Sequence, residues 1–224
     1  MTGEMKMAGG VKMAGEMKMA GEMKMTGGRD KVIYTFTTET PLGQIRAAAV
    51  DGALAGLWFT GQKYFPAAAS AWVVEPDHPV FVSLGAWLLD YFAGKNPAIN
   101  FTIAPALFGS GAGLGSGAGP RAEQGKGVTS SFREASEFRR AVWKRLMEIP
   151  YGETVSYGEI SAGLSRSGKK ASAQAVGGAV GHNPISIVIP CHRVLGSDGS
   201  LTGYAGGVEK KQALLDLERG KKIC

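Results

Sequence analysis

Ile185-Ser186-Ile187-Val188-Ile189-Pro190-Cys191-His192-Arg193-Val194 decides how this chain is read. Its first five residues alternate as a buried strand does, so a strand is predicted over 185–189 with a thiol where it stops and an imidazole next to that thiol. Cysteine attacks as thiolate, so a thiol in this setting needs a group that takes its proton. The other cysteine, Cys224, is the last residue, and Cys191 is expected to act alone.

Working upstream, Ser156-Tyr157-Gly158-Glu159 has the spacing of a capping box and predicts a helix starting at Ser156, with Tyr157 in its first turn. Ser165 to Lys170 reads as a basic turn, and a second helix is predicted from about Ala171 to Val180, closed by Gly181. Two short helices joined by a turn suggest a helix-turn-helix. The second, Ala171-Ser-Ala-Gln-Ala-Val-Gly-Gly-Ala-Val180, carries almost no bulk, and each glycine weakens it by roughly 1 kcal/mol against alanine. A thin helix serves either close packing on another helix or close approach to a narrow groove. Before it, Phe138 to Met147 predicts a helix with Phe138, Val142, Trp143 and Leu146 as its apolar stripe, ended by Pro150-Tyr151-Gly152. Downstream of the thiol, Gly203-Tyr204-Ala205-Gly206-Gly207 precedes a helix bearing Leu214, Leu215, Leu217 and Glu218.

The N-terminal half reads as an antiparallel meander: strands from Val32, from Gln44 to Val50 and from Ala53 to Phe59, with turns at Thr40–Gly43 and Asp51-Gly52. An amphipathic helix follows from Val80 to Phe92. No catalytic constellation is visible in this half, which is expected to act as a scaffold. Residues 1–30 repeat with a period of six, hold eight of the nine methionines and read as a disordered tail. Residues 109–130 are rich in glycine and serine and read as a linker or insert. The expected units are therefore 31–108 and 131–224.

The 224 residues carry a formal charge of +6, a mild excess compatible with a polyanionic partner. No run is long and apolar enough for a membrane span, and two cysteines cannot build a disulfide framework. A reducing compartment, cytoplasm with its nucleoid or nucleus, is expected, with no membrane partner. Cys191, Cys224, His78, His182 and His192 show no metal-ligand spacing, so neither metal nor cofactor is expected.

Ile149-Pro-Tyr-Gly-Glu-Thr-Val-Ser-Tyr157, Ala175-Val-Gly-Gly178, Asn183-Pro184, Pro190-Cys-His-Arg-Val194 and Gly203-Tyr204, taken in that order, resemble the O6-alkylguanine-DNA alkyltransferases. The resemblance implies an α/β (α+β) protein: an N-terminal three-stranded antiparallel sheet with a helix, ribonuclease H-like, and a mostly helical, winged-helix-like C-terminal domain. It implies a monomer that repairs double-stranded DNA by moving a methyl or larger alkyl group from guanine O6, with O4-alkylthymine as a second substrate, to Cys191. One molecule is then spent on one lesion. His192 would act as base through a water, Glu218 would hold the imidazole, and Asn183 would order the segment before the cysteine. Tyr157 would assist the departing guanine and crowd the DNA phosphate, and the base would leave the stack to be reached. The carbonyls of Cys191 and Val194 would read the guanine amino group, and the Tyr204-Ala205 loop would wall the pocket. Gln174, Ala175, Gly177, Gly178 and Ser197 would contact DNA. In the family an arginine precedes the Ala-Val-Gly element and fills the gap left by the base. Gln174 stands there, without charge or planar fork, so weaker DNA binding or poorer base extrusion is expected. Arg166, Lys169 and Lys170 are candidates to compensate at phosphates. Two rival readings are a non-catalytic lesion binder of the same fold, whose members lack the cysteine, and an unrelated thiol hydrolase, for which no separate histidine or oxyanion pattern is in place.

Overall fold

The structure, a computed structural model, describes residues 32–104 and 135–221. The expected tail and glycine-rich linker, and Cys224, lie outside the described residues. The N-terminal sheet is built from β1 (Tyr34–Thr38), β2 (Ile45–Val50) and β3 (Ala53–Phe59), paired antiparallel as the alternation predicts. Asp51 and Gly52 both take positive φ, 52° and 73°, which matches the twist of a two-residue hairpin. A short fourth strand, β4 (Val73–Val74), joins the far edge parallel to β1, giving the order β3-β2-β1-β4. The expected three-stranded sheet is thus four-stranded; two residues are too few to show a period. Helix α1 (Pro79–Phe92) covers one face of the sheet through Phe81, Leu84, Leu88 and Tyr91.

The C-terminal part is mostly helical: α2 (Glu137–Met147), α3 (Tyr157–Arg166), α4 (Ala173–Gly181) and α5 (Val208–Glu218). Ser156 caps α3, and its capping box with Glu159 is complete: Glu159 N–H donates to Ser156 Oγ at 3.1 Å and Ser156 N–H to Glu159 Oε2 at 2.7 Å. Helix α4 starts two residues later than predicted, because Ser172 Oγ accepts from Ala175 N–H and so serves as its N-cap. Two-residue strands β5 (Val155–Ser156) and β6 (Val194–Leu195) pair in parallel and bring the start of α3 beside the segment that follows the thiol.

The strand expected over 185–189 is not there. Only Ile185 bridges to Leu57 of β3; the rest is turns, held by Val188 N–H to Ser186 O (2.8 Å) and Ile189 N–H to Ile185 O (3.0 Å). Ile187 lies at φ 70°, a costly conformation for a β-branched residue. All four apolar side chains are nonetheless buried. Periodicity reports burial, and here protein surrounds the segment whatever its backbone does. The bridge also joins the two halves: Leu54, Leu57 and Phe59 share one continuous core with Val142, Trp143, Val180 and Ile185.

Candidate active site

Cys191 and His192 sit in a 3₁₀ turn (Cys191–Arg193) between the buried turns and β6. Asn183 fixes this turn. Its Nδ2 donates to Ile189 O (2.7 Å) and to Cys191 Sγ (2.9 Å), while its Oδ1 accepts from Ile185 N–H (3.0 Å). The thiol is 4% exposed. Burial pushes it up to about 11; the Asn183 hydrogen bond and the Lys211 charge oppose this rise without cancelling it. At rest Cys191 is therefore a neutral thiol.

His192 and Glu218 meet across 26 residues of sequence: Nε2 lies 2.8 Å from Glu218 Oε1, and neither side chain is exposed. Glu218 collects five donors. Tyr91 Oη (2.7 Å), His192 Nε2 and Arg193 Nη2 (2.9 Å) reach Oε1; Arg193 Nε (2.8 Å) and Gly152 N–H (3.1 Å) reach Oε2. Burial disfavours the carboxylate, but the His192 and Arg193 hydrogen bonds outweigh it and hold the group well below the usual carboxylate range. Burial likewise keeps the imidazole below its ordinary value, against the pull of Glu218. A neutral imidazole facing a carboxylate through Nε2 donates that N–H, which leaves Nδ1 as the free acceptor. Nδ1 is buried and has no hydrogen-bond partner among the described residues. A thiol, a basic nitrogen and a third group that orients the imidazole are thereby assembled, and such a set can generate a thiolate on demand.

Tyr91, Arg193, Gly152 and Lys211 are absent from the sequence-based site. Arg193 belongs to the Pro-Cys-His-Arg-Val run and was there to be found; its Nη1 also donates to Ile149 O (2.6 Å). Gly152 takes φ 79°, which favours glycine, and a Cβ there would crowd Glu218 O at 3.1 Å. Tyr91 comes from α1, so the N-terminal half, expected to act as a scaffold, also donates a hydrogen bond to Glu218. Lys211 is completely buried, and its Nζ donates to Val194 O (2.5 Å) and Thr202 O (2.8 Å). Burial lowers it to about 8, with the Cys191 charge pulling the other way. No local signal distinguishes it from the neighbouring surface lysine, Lys210.

Beside this cluster opens a cleft of about 480 Å³, a volume that suits a small ligand. Tyr157, Gly177, Gly178, Thr202, Tyr204 and Ala205 line it. Tyr157 Oη donates to Thr202 O (3.0 Å), and burial raises its phenol. Tyr204 Oη is buried without a hydrogen-bond partner among the described residues. Cys191 does not line the cleft, but Tyr157 and Tyr204 are both close enough to feel its charge. On α4, Val176, Ala179 and Val180 face the core while Gln174, Ala175 and Gly178 are exposed. A Cβ on Gly178 would touch nothing, and one on Gly177 would meet the Tyr157 ring at an ordinary 3.8 Å. Internal packing does not require either glycine. Ser197 lies exposed in the Gly196–Gly199 turn, and neither it, Gln174 nor Ala175 lines the cleft. The Val194 carbonyl, expected to read a base, already accepts from Lys211 and keeps one lone pair.

This arrangement can be set against known proteins. A model of the 6-O-methylguanine DNA methyltransferase DNA-binding domain matches residues 137–220, from α2 through the thiol to Glu218. The methylated-DNA–protein-cysteine methyltransferase of Mycolicibacterium paratuberculosis is 40% identical over 183 residues, 82% of this chain and 90% of that protein. The crystal structure of Mycobacterium tuberculosis O6-methylguanine methyltransferase superimposes with a TM-score of 0.63 at 34% identity, covering 85% of this chain and 94% of that one. The DNA complex of the M. tuberculosis protein gives 0.62, covering 84% and 93%. The similarity runs through both halves, the sheet and the helix α1 that supplies Tyr91 as well as the segments that carry the thiol, and the chain belongs to the methylated-DNA–protein-cysteine methyltransferase family.

Proposed function

We propose that this protein repairs DNA by direct reversal, taking the alkyl group of O6-alkylguanine onto Cys191 and being spent in one turnover. The observation that carries this reading is the buried Cys191 thiol held by Asn183 next to an imidazole whose Nε2 is committed to an ionised Glu218. His192 Nδ1 takes the thiol proton through a water, the thiolate displaces guanine at the alkyl carbon, and the guanine leaves from the O6 side with its electron pair. Tyr157 supplies a hydrogen bond to the leaving base. The product is a thioether, which water does not cleave, so the active form is not regenerated.

DNA is the partner, as in the solved M. tuberculosis complex. The base enters the cleft between Tyr157, the bare face of α4 and the Tyr204-Ala205 loop, which requires it to leave the stack. Gln174, Ala175 and Ser197 contact the duplex outside the cleft. The protein acts as a monomer in the cytoplasm or nucleus, with residues 31–108 and 131–224 as its two units. The direct test is incubation with duplex DNA carrying O6-methylguanine, followed by intact mass and peptide mapping. A gain of one methyl group, mapped to Cys191, is expected. Tight binding without mass gain supports a lesion binder instead.

The transfer rate is expected to stay level as pH falls to 6.5, where an ordinary imidazole is half protonated, and to drop only below it, because burial holds His192 lower. On the alkaline side it is expected to decline above about pH 8, as Lys211 loses the charge that faces the thiolate. Single-turnover rates from pH 5 to 10 check both limbs; half-loss of rate at or above pH 6.5 on the acid side contradicts the assignment of His192 as a neutral base.

Gln174 is exposed on α4, so Gln174→Arg adds a charge toward DNA without touching the core. Tighter duplex binding is expected, with the logarithmic salt slope steeper by about one. Unchanged affinity and slope, measured by anisotropy at two salt concentrations, would remove Gln174 from the interface.

A further inference from the structure

The cleft has a wall that comes from the N-terminal sheet. Lys63 and Tyr64, in the loop after β3, line it together with the glycine face of α4. This loop is held from several sides. Lys63 N–H donates to Ala205 O (3.0 Å), on the loop that forms the opposite wall. Gln62 is buried, and its Oε1 accepts from Phe59 N–H (2.9 Å) and Ser186 Oγ (3.2 Å). These anchors fix Tyr64 at φ 65°, which a bulky residue adopts only at a cost.

The strained backbone does not bury the side chain it carries. Tyr64 is 48% exposed, and its ring stacks on His182 with centroids 4.0 Å apart and planes 23° apart. His182 caps α4 and is itself fixed, with Nδ1 donating to Gly178 O (2.7 Å). Lys63 is also exposed, with Nζ 5.0 Å from the centroid of the Tyr64 ring. An aromatic ring held outward by a strained backbone, backed by a second ring and with an exposed lysine ammonium over it that a nucleotide would displace toward a phosphate, has the components of a nucleotide-stacking platform. It lies where the thin helix leaves room for an external surface.

We propose that the Lys63-Tyr64 corner is an N-terminal half of the DNA-binding cleft, in which Tyr64, backed by His182, packs on the extrahelical nucleotide and Lys63 pairs with an adjacent backbone phosphate. The proposal rests on the cleft being the DNA site. It makes the N-terminal unit a contributor to substrate binding and explains why a bulky residue stands at a left-handed position.

The experiment compares wild type, Tyr64→Gly, Tyr64→Asn and Lys63→Ala on duplex DNA with and without O6-methylguanine. Glycine and asparagine both accept positive φ, so neither Tyr64 variant is expected to melt below wild type. Each is expected to slow methyl transfer at saturating DNA by about tenfold, the loss of one base-stacking contact. Lys63→Ala is expected to flatten the salt slope of DNA binding by about one. If wild type transfers the methyl group while all three variants match it within about twofold in rate, affinity and salt slope, the corner is not part of the interface and the proposal falls. If wild type itself fails to transfer, the functional reading fails instead.

Discussion

Glu218→Gln is expected to lower stability by about 3–5 kcal/mol and the single-turnover rate by about 100-fold or more. Five donors converge on that carboxylate, and two of them come from the Arg193 guanidinium, whose side chain is 11% exposed. An amide keeps the shape but loses the charge, and its NH₂ must face one of those donors. The guanidinium then remains buried without a counter-ion. A neutral amide also no longer compels His192 to donate from Nε2, so the tautomer that leaves Nδ1 free is no longer enforced. Chemical denaturation and transfer rates report the two effects separately. A stable variant with a near-normal rate would mean that Glu218 neither neutralises Arg193 nor orients His192. The pH dependence has a definite sign. A carboxyl depressed in the folded state stabilises above its unfolded pKa, and that contribution is lost as pH falls toward the folded value. Glu218→Gln is therefore expected to shrink the acid dependence of stability.

Lys211→Met is expected to slow transfer by about tenfold or more while leaving stability nearly unchanged or higher. Lys211 is a buried cation whose hydrogen-bond acceptors among the described residues are two carbonyls and no carboxylate, so removing it relieves desolvation. Methionine fills most of the volume. What disappears is the positive charge that favours the thiolate over a thiol already raised by burial. One unit of thiol pKa is a factor of ten in thiolate at neutral pH. The alkaline decline in rate near pH 8 should vanish with the lysine, which a merely structural role would not produce. A variant with the wild-type rate and the same alkaline limb would exclude Lys211 from thiol activation.

These two residues show where local reading succeeds and stops. Glu218 is reached from sequence through the family resemblance, which carries it along with the Pro-Cys-His-Arg-Val run. Lys211 lies on the same helix and looks like Lys210; only the fold decides that one is fully buried and the other is not. Tyr91 is further out of reach, since its hydroxyl meets Glu218 across 127 residues. The strand predicted at 185–189 failed for a related reason. Its alternation describes which side chains avoid water, and Ile187 avoids water from a left-handed backbone that no apolar pattern encodes.

By itself, the sequence determined the longer elements and the position of the reactive centre. Alternation placed β1 to β3, serine caps with their third-residue partners placed α3, and the Pro-Cys-His-Arg-Val run placed the thiol and imidazole. These signals are local, because hydrogen bonds at helix ends and side-chain periods act within a few residues. Only the tertiary structure decided the charge state of the site: a thiol raised by burial, a carboxylate lowered by His192 and Arg193, an imidazole kept neutral, and a cleft walled from both halves. Desolvation and hydrogen bonding to a buried group depend on everything that surrounds it, and those surroundings come from segments far apart along the chain.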